Sequence, residues 1–321
     1  MSVKECVVSE NKPILYNEDC LKIMRDLRMD NPYGEFDLIL CDLPYGQMKD
    51  IGKDDGRYKN GMLGKFDWDI GIDLPQFFSH CEWLLRESGR LILFGTQPFT
   101  TSLINQSSYN LEYSFSLIWE KTHFANAFQA KRAPLNFFED IVVFTKRYDT
   151  QNTNPLRGYF LWLKQHIGLS KAQLILKLGQ RIDHTFRTDS TQFKLCTEEA
   201  YQDLTDMFKI QDNPKYKTYS ELKKINDQYT QTFNLKPHES FKSNILKYER
   251  DSDKLHPTQK PIPLLNDLIY TFTNENDLVA DFTMGSGSTG VAALNLNRRF
   301  LGCELDPKFY QVAKERIDKF I

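Results

Sequence analysis

The chain has no long apolar run and no excess of charge of either sign. None of its hydrophobic stretches reaches the ~20 residues that a membrane-spanning helix needs, and its first residues lack the apolar core of a secretion signal. Its 41 lysines and arginines against 43 aspartates and glutamates give a net charge of −2. We therefore expect a cytoplasmic protein with no membrane partner, and the global charge gives no sign of a polyanion partner.

Cysteine is also scarce, and no two cysteines form a C-x-x-C pair. Several of them lie in apolar segments, which is typical of reduced core residues and speaks against a disulfide framework or a zinc site. We therefore expect no metal. The six positions are Cys6, Cys20, Cys41, Cys81, Cys196 and Cys303. A length of 321 residues suits one large α/β domain with an insertion, or two domains.

A strand followed by a polar and aromatic motif is the first sign of a site. Residues 36–41 form a short apolar run that predicts a buried strand of a parallel sheet, and Asp42-Leu43-Pro44-Tyr45 follow it directly. In open α/β sheets, ligands bind at the carboxyl ends of such strands. The alternative is a strand that ends in a plain turn, with Asp42 bonded to its own backbone.

A glycine-rich turn near the end of the chain is the second sign. Residues 285–290 read Gly-Ser-Gly-Ser-Thr-Gly between a predicted strand at 278–282 and a predicted helix. Such a turn lets a ligand approach the backbone and the amides that open the helix. A P-loop is excluded, because Val291 stands where that loop needs lysine. Glu304 ends the next strand, where its carboxylate can bind ribose hydroxyls or simply face solvent.

The position of this turn predicts the order of the sheet. Only one helix follows Glu304, so the remaining strands must come from the amino-terminal part. We expect residues 13–16 to form the third strand of the cofactor half, with Asp19 near a bound adenine or as the N-cap of the next helix. The strand at 36–41 then lies across the switch point. Residues 111–120 and 140–145 predict an antiparallel edge pair.

The middle of the chain differs in charge and pattern. Residues 151–250 carry 16 lysines and arginines against 11 aspartates and glutamates, a net charge of +5, while the rest carries 25 against 32. The region is helical in pattern and predicts an insertion between two halves, 1–150 and 251–321, of one domain. A glycine-rich stretch at 48–69 predicts a long loop.

Together these motifs resemble the DNA amino-methyltransferases, in the permuted order with the catalytic motif first and the cofactor motif last. Asp42–Tyr45 matches the family's D-P-P-Y except at Leu43. Residues 281–287 are similar to its D-P-F-x-G-S-G, with Phe282 and Thr283 as departures. Residues 256–261 (H-P-T-Q-K-P) and 17–19 (N-E-D) resemble two further family segments. The resemblance covers about residues 13–148 and 243–321.

The resemblance implies an α/β, Rossmann-like S-adenosylmethionine-dependent methyltransferase fold. Its sheet is mostly parallel with an antiparallel edge strand, and the inserted, mainly helical region is its target-recognition region. The implied partner is double-stranded DNA, and the implied catalytic motif is Asp42, Leu43, Pro44 and Tyr45. Asp42 and the carbonyl of Leu43 accept hydrogen bonds from an exocyclic amino group, while Tyr45 stacks on a flipped base.

The resemblance also implies the residues that hold the cofactor, with Thr258 and Lys260 on its methionine carboxylate. The alternative for Lys260 is a solvated lysine in a proline-bounded loop. The implied set is Asp19, Cys20, Thr258, Lys260, Asp281, Thr283, Gly285, Ser286, Gly287 and Glu304.

Within the insertion, residues 168–187 are similar to a helix-turn-helix. One helix is predicted at 171–178 and a second at 181–187, joined by Gly179. The alternative is a pair of amphipathic helices in a small bundle. The residues predicted to contact DNA are Lys171, Gln180, Arg181, His184 and Arg187.

The aspartate at the first position of the catalytic motif favours N6 of adenine as the acceptor, since cytosine enzymes of the family more often carry serine there. The alternatives are an N4-cytosine DNA methyltransferase and a non-catalytic DNA-binding protein on the same scaffold. A dinucleotide-dependent oxidoreductase fits the glycine turn but explains neither its terminal position nor Asp42–Tyr45. A homodimer and a separate restriction endonuclease are partners that the residues do not decide.

Overall fold

The structure is a computed structural model that describes residues 12–30, 34–45, 71–125, 131, 134–147, 154–190, 192–229, 231–251 and 259–320. The predicted loop at 48–69 and the predicted cofactor residue Thr258 lie outside this part of the chain. Two compact units are present. The first consists of residues 1–147 and 232–321, and the second of residues 148–231.

The first unit is built on a sheet in which eight described strands pair in the order β1-β8-β7-β2-β3-β5-β4-β6. The strands are β1 (Ile14–Tyr16), β2 (Phe36–Cys41), β3 (Leu85–Gly95), β4 (Leu111–Ala125), β5 (Asn136–Lys146), β6 (Ile245–Lys247), β7 (Leu278–Asp281) and β8 (Arg299–Cys303).

Helices flank the sheet and fill the second unit. Those of the sheet unit are α1 (Cys20–Asp30), α2 (Leu74–Leu84), α3 (Phe99–Ile104), α8 (Ile262–Phe272), α9 (Ser288–Asn295) and α10 (Pro307–Ile317). Those of the second unit are α4 (Pro155–Ile167), α5 (Lys171–Leu178), α6 (Glu198–Phe208) and α7 (Tyr219–Tyr229). No helix in the described ranges combines the length and the apolar character that crossing a bilayer requires.

One half of the sheet is parallel and follows the predicted permuted order. Strand β2 pairs with β3 on one side and with β7 on the other, while β8 lies between β7 and β1. The prediction that the first strand is the third of its half is therefore confirmed. Because these strands run in the same direction, the residues that follow β2 and β7 meet at one edge of the sheet.

Alternation along β2 supplies a core on each face of the sheet. Ile39 and Cys41 belong to the core that also contains Met24 of α1 and Phe77 of α2. Leu38 and Leu40 belong to the opposite core, which contains side chains of α8 and α9. Every residue of β2 is buried, which explains why its sequence is apolar except for Asp37, whose carboxylate pairs with Arg86.

The other half of the sheet is antiparallel, but its edge differs from the prediction. Strand β5 runs antiparallel to β3, and β4 runs antiparallel to β5, as predicted. The edge, however, is the short strand β6, which pairs with β4 in parallel. A hydrogen bond of 2.8 Å from Ile118 N to Asn244 O extends this pairing.

The predicted insertion at 151–250 therefore ends too late. Residues 232–250 pack with the sheet unit, because Lys236 and Lys242 each place their Nζ 2.6 Å from the buried carboxylate of Asp267 on α8. The side-chain amide of Asn234 donates to the carbonyls of Tyr270 and Thr273 at the end of the same helix.

The second unit has a core of its own and little net charge. Its helices bury Phe160, Leu174, Tyr201 and other apolar side chains in one cluster. With the boundaries at 148 and 231 it carries 12 lysines and arginines against 10 aspartates and glutamates, or +2. Residues 232–250 carry four lysines and arginines against two aspartates and glutamates, so +2 of the surplus that the sequence assigned to the insertion belongs to the segment on the sheet.

The predicted second helix at 181–187 is wrong. The first helix is present as α5, with Ser170 and Gln173 forming a capping box. After Gly179, at φ 83° and ψ 177°, the chain makes two separate 3₁₀ turns, Gln180–Ile182 and His184–Phe186. Ile182 and Phe186 point into the core, so packing holds this segment as short turns and not as a helix that presents one face to a ligand.

Candidate active site

The motif after β2 lies at the carboxyl edge of the sheet, where the sequence predicts it. Leu43 is buried, while Asp42 keeps a fifth of its side chain exposed, at 21%. The hydroxyl of Tyr45 lies 3.4 Å from Asp42 Oδ1 and donates to it. The Tyr45 ring packs against Phe99 with centroids 4.6 Å apart, which fixes the ring beside the carboxylate.

The glycine turn after β7 occupies the neighbouring strand end. Gly285 and Gly287 adopt positive φ angles of 51° and 78°, and α9 begins at Ser288. A Cβ on Gly287 would lie 2.9 Å from the Cβ of Ala313, so both conformation and space require glycine there. Arg316 donates to the carbonyl of Ser286 at 2.6 Å and holds the turn against α10.

A direct hydrogen bond joins the two motifs. Thr283 Oγ1 donates to the backbone carbonyl of Asp42 at 3.1 Å, and the Thr283 amide donates to Asp281 Oδ1 at 3.0 Å. Burial raises the pKa of Asp281 to about 7, against hydrogen bonds from Thr289 and Thr283 that lower it. The threonine that departs from the family motif therefore spans the gap between the ends of β2 and β7.

Glu304 closes the site on the β8 side. Its Oε2 accepts from the Gly285 amide at 2.8 Å, and its Oε1 accepts from the Asp306 amide at 2.9 Å. Burial raises its pKa, although these amide hydrogen bonds oppose the shift. The side chain of Asn17 donates to the Glu304 carbonyl at 2.8 Å and ties β1 to this corner.

Asp19 and Cys20 lie at the start of α1, next to β8. Asp19 Oδ1 accepts from the Lys22 amide at 3.0 Å, so its carboxylate caps the helix, which was one of the two alternatives for this residue. The Cys20 side chain packs against the core, and burial raises the pKa of its thiol to about 12. Every described cysteine is a free thiol, while Cys6 lies outside the described residues.

Lys260 contacts the motif at the end of β2, and its contact with the methionine carboxylate of the cofactor stays a prediction. Its ammonium group forms an ion pair with Asp42 Oδ2 and lies 3.4 Å from Glu139 Oε2, so it faces the end of β2. Glu139 in turn pairs with Lys121 of β4. Burial works against the charge of Lys260, but Asp42 and Glu139 outweigh it and raise the pKa of its ammonium group.

A family comparison agrees with this arrangement of motifs. The family model described as DNA methylase, of the N6/N4 type, matches residues 36–315. This span includes β2, the motif at Asp42 and the glycine turn. The chain belongs to the N6/N4 DNA methylase family.

Individual relatives resemble the methylase along most of its length. The Type II methyltransferase M2.MboI of Moraxella bovis is 24% identical over 330 residues, which cover 98% of this chain and 92% of that protein. The DNA adenine methyltransferase YhdJ of Escherichia coli (strain K12) is 22% identical over 293 residues, covering 89% of this chain and 78% of that protein.

Solved structures support the fold. The M1.HpyAVI–SAM complex superposes with a TM-score of 0.52 at 15% identity, covering 94% of this chain and 97% of that one. The PvuII DNA methyltransferase, which is cytosine-N4-specific, superposes with a TM-score of 0.51 at 12% identity, covering 97% and 92%. At such identities the similarity establishes the α/β fold of the methylase and nothing finer.

In the second unit of the methylase, most of the residues predicted to contact DNA have partners within the unit. Lys171 and Arg187 both pair with Asp183, and Arg181 pairs with Asp203. His184 Nδ1 lies 3.0 Å from the carbonyl of Gln192. Gln180 is exposed at the start of the first 3₁₀ turn. The role of these side chains in binding DNA stays a prediction.

Sequence reasoning missed Glu139 and Lys121, which lie one position outside the predicted strands at 140–145 and 111–120 but inside the observed strands β5 and β4. Their only signal is the charge itself, since neither residue type is usually fully buried without a partner. Lys121 is 2% exposed and Glu139 is 14% exposed at the side chain. A charged pair at inward positions of neighbouring strands could have marked them as part of the site.

Proposed function

We propose that the chain transfers a methyl group from S-adenosylmethionine to the exocyclic N6 amino group of adenine in double-stranded DNA. The observation that carries this proposal is the junction of the two motifs. Thr283 Oγ1 donates to the Asp42 carbonyl at 3.1 Å, which sets the acceptor carboxylate beside the glycine turn of a DNA methylase fold. A base lifted out of the duplex can reach such an edge site, whereas a stacked base cannot.

The residues of the turn fit a nucleoside cofactor. Gly285 and Gly287 form a tight turn with positive φ angles between β7 and α9, where the amides that open the helix favour a polar ligand group. We assign cofactor contacts to Asp19, Cys20, Asp281, Thr283, Gly285, Ser286, Gly287 and Glu304. S-adenosylmethionine, when bound, supplies an electrophilic methyl group on a sulfonium. The similarity to the M1.HpyAVI–SAM complex supports this choice at the level of the fold.

On the acceptor side, the reacting exocyclic amino group is a weak nucleophile. The lone pair of an exocyclic amino group is delocalised into the ring, so the nitrogen attacks poorly while it stays planar. Asp42 Oδ1 and the carbonyl of Leu43 accept its two N–H bonds and draw the nitrogen toward a tetrahedral geometry. The nitrogen would gain positive charge as it takes the methyl group, the sulfonium would leave as a neutral thioether, and one N–H proton would pass along its hydrogen bond to Asp42 and on to solvent. The Asp42 carboxylate stabilises that charge through its hydrogen bond.

Adenine is the proposed acceptor because the motif begins with a carboxylate. An ionised carboxylate is a stronger acceptor of an N–H bond than a hydroxyl. A serine at this position could also donate, for instance to a ring nitrogen. The relatives include both kinds of enzyme, since YhdJ is a DNA adenine methyltransferase and the PvuII enzyme is cytosine-N4-specific.

The test is nucleoside analysis of unmethylated DNA treated with the purified protein and S-adenosylmethionine. We expect N6-methyladenine, and we expect none with Asp42→Ala. N4-methylcytosine without N6-methyladenine would show the choice of base to be wrong. A protein that bound NAD in titrations but not S-adenosylmethionine, and methylated no DNA, would overturn the proposal as a whole.

We further propose that the second unit, residues 148–231, contributes to the choice of target sequence. Its separate core and its place between the two sequence halves of the sheet unit support this role. Its net charge of +2 is modest, so any recognition by this unit relies on particular side chains more than on a general field.

A further inference from the structure

Four charged side chains form a continuous row of ion pairs beside the acceptor site. Asp42 pairs with Lys260, Lys260 lies 3.4 Å from Glu139, and Glu139 pairs with Lys121. The four residues come from the end of β2, the segment before α8, β5 and β4. Carboxylates and ammonium groups alternate along this row, so each carboxylate contacts an ammonium group.

Burial makes this alternation necessary. The exposed fractions of the side chains are 21% for Asp42, 7% for Lys260, 14% for Glu139 and 2% for Lys121. Burying a charge is costly unless an opposite charge and hydrogen bonds compensate it. The two ammonium groups also lie over aromatic rings, Lys260 at 4.8 Å from the Phe94 centroid and Lys121 at 5.0 Å from that of Trp119.

Within this row, Glu139 is the residue that contacts both lysines. Without the Glu139 charge, Lys121 and Lys260 would be two neighbouring buried cations, and Asp42 would be the one carboxylate left among the four residues. Lys260 would then lose its ion-pair partner on the side that faces away from Asp42. Because Lys260 binds Asp42 Oδ2, its position decides which carboxylate oxygen is left toward the cleft. That oxygen is Oδ1, which already accepts from the Tyr45 hydroxyl.

We propose that Glu139, with Lys121 behind it, is a positioning residue that anchors Lys260 on Asp42 and thereby orients the carboxylate that receives the target amino group. This inference rests on the proposed methyl transfer, since it gives Glu139 a task only if Asp42 accepts that amino group. It also gives Lys260 a role on the acceptor side of the site.

The charges around Glu139 give the proposal a pH signature. Burial opposes the charge of Glu139, but Lys260 and Lys121 outweigh it and lower its pKa. Burial raises the pKa of Asp42, Lys260 opposes that shift and Glu139 adds to it. Among the described residues, the other charged or titratable groups that act on this cluster include Tyr45, Asp140, Asp281 and Arg250.

Removing the Glu139 charge should therefore lower both the pKa of Lys260 and the pKa of Asp42. Glu139→Gln takes away one cause of the raised pKa of Lys260 and one cause of the raised pKa of Asp42. If the active form needs an ionised Asp42 and a protonated Lys260, both limbs of the pH–rate profile move to lower pH. Glu139→Asp keeps the charge, so it should leave the limbs in place even where the shorter side chain lowers the rate.

The kinetic experiment compares wild type, Glu139→Gln and Glu139→Asp, with Glu112→Gln as the matched control. Glu112 lies on β4 in a surface pair with Arg147, and 48% of its side chain is exposed. We expect Glu139→Gln to lower kcat about 10- to 100-fold, with S-adenosylmethionine affinity unchanged by calorimetry. In a Lys260→Met background the further loss on adding Glu139→Gln should largely vanish. A full additional loss there would show that Glu139 acts by another route.

A second readout does not depend on activity. The ammonium group of Lys260 can be titrated by NMR with ¹³C-labelled lysine, its signal being assigned by its absence from Lys260→Met. We expect its midpoint to fall in Glu139→Gln and to stay in Glu139→Asp and Glu112→Gln. An unchanged midpoint in Glu139→Gln overturns the proposal, whereas a wild-type protein that methylates no DNA defeats the proposed function and leaves this measurement valid.

Discussion

At the scale of single residues, three contacts from three parts of the chain hold Asp42, the proposed acceptor. The Tyr45 hydroxyl donates to Oδ1, Lys260 binds Oδ2, and Thr283 donates to the backbone carbonyl of Asp42. The side chain is thus oriented before any ligand arrives. Preorganisation of this kind is what lets a hydrogen-bond acceptor stabilise charge as it develops in a reaction.

Replacement of Asp42 should separate chemistry from cofactor binding. We expect Asp42→Ala to abolish methyl transfer, because the amino group loses its acceptor and Lys260 loses its partner. S-adenosylmethionine affinity should stay within a few-fold, because Asp42 lies on the substrate side of the cleft. The measurements are methyl transfer to DNA and calorimetric titration of the cofactor, with the exposed Asp26→Ala on α1 as control. A large loss of cofactor affinity in Asp42→Ala would contradict this placement.

Replacement of Gly287 should test the fit of the turn to α10. Gly287→Ala places a Cβ 2.9 Å from Ala313 Cβ at a φ of 78°. We expect it to lower the free energy of unfolding by about 1–3 kcal/mol, as measured by urea denaturation. Gly168→Ala is the matched control, since Gly168 has a φ of 73° but no atom within 4 Å of the added carbon. Equal costs for the two variants would mean that the contact with Ala313 is unimportant.

At the scale of elements, the packing of α2 against α1 contains a buried histidine. His80 of α2 is 6% exposed, and neither of its ring nitrogens has a hydrogen-bond partner among the described residues. Burial lowers its pKa, and Arg28 and Arg25 of α1 lower it further. The folded state therefore favours the neutral ring and binds its proton less readily than the unfolded chain.

This histidine should make the sheet unit sensitive to mild acid. A lowered pKa in the folded state means that its contribution is intact above the ordinary value of about 6.5 and is lost as the pH falls below it. We expect the Tm of wild type to drop more between pH 7.5 and 5.5 than the Tm of His80→Leu. At pH 7.5 the variant should be at least as stable, because two buried polar atoms without partners are removed. The exposed His166→Leu is the control, and parallel pH curves for wild type and His80→Leu would contradict the argument.

At the scale of the whole molecule, the chain divides into a catalytic sheet unit and a smaller helical unit. The helical unit carries +2, while the basic residues Lys236 and Lys242 belong to the sheet unit and neutralise Asp267. Lys236 and Lys242 therefore stabilise the sheet unit through Asp267, whereas Lys247 of the same segment forms an exposed pair with Glu120. Recognition of DNA by the helical unit has to come from a few exposed side chains.

Arg181 and Arg187 remain the residues to test for recognition. Their side chains are 39% and 32% exposed, and each pairs with an aspartate that a phosphate would have to displace. If either contacts a phosphate, its replacement by glutamine should weaken binding to all sequences and lower the salt slope by about one unit. If either contacts a base, specificity should relax at one position of the target.

The measurement is DNA binding as a function of salt for Arg181→Gln, Arg187→Gln and the double variant. Lys223→Gln on α7 is the control, because Lys223 forms an exposed pair with Asp227 in the same unit. If the double variant binds with unchanged affinity and specificity, these 3₁₀ turns do not read the DNA. The search for the reader would then move to other surfaces of the same unit.

The sequence by itself determined the local parts of the catalytic unit. Residues 36–41 are apolar except for Asp37, which favours burial on both faces, and Asp42–Tyr45 are therefore expected to follow a central strand. The glycines at 285 and 287 demand a turn that other residues cannot adopt. The terminal position of that turn forced the permuted order, and the parallel pairing of β2 with β7 follows it. The buried strand and the glycine turn depend on residues that are close together in the sequence, so both can be predicted from one sequence.

Tertiary structure alone decided which distant side chains meet. Lys260 binds Asp42 across 218 positions, and Thr283 reaches the Asp42 carbonyl across 241. The resemblance to the DNA amino-methyltransferases assigned both residues to the cofactor, and a single sequence could not show the register that brings their atoms to Asp42. It also gave no warning that Ile182 and Phe186 would be drawn into a core and prevent a second helix. Contacts across such separations depend on packing and burial, which arise only when the whole sheet and the helical unit have formed.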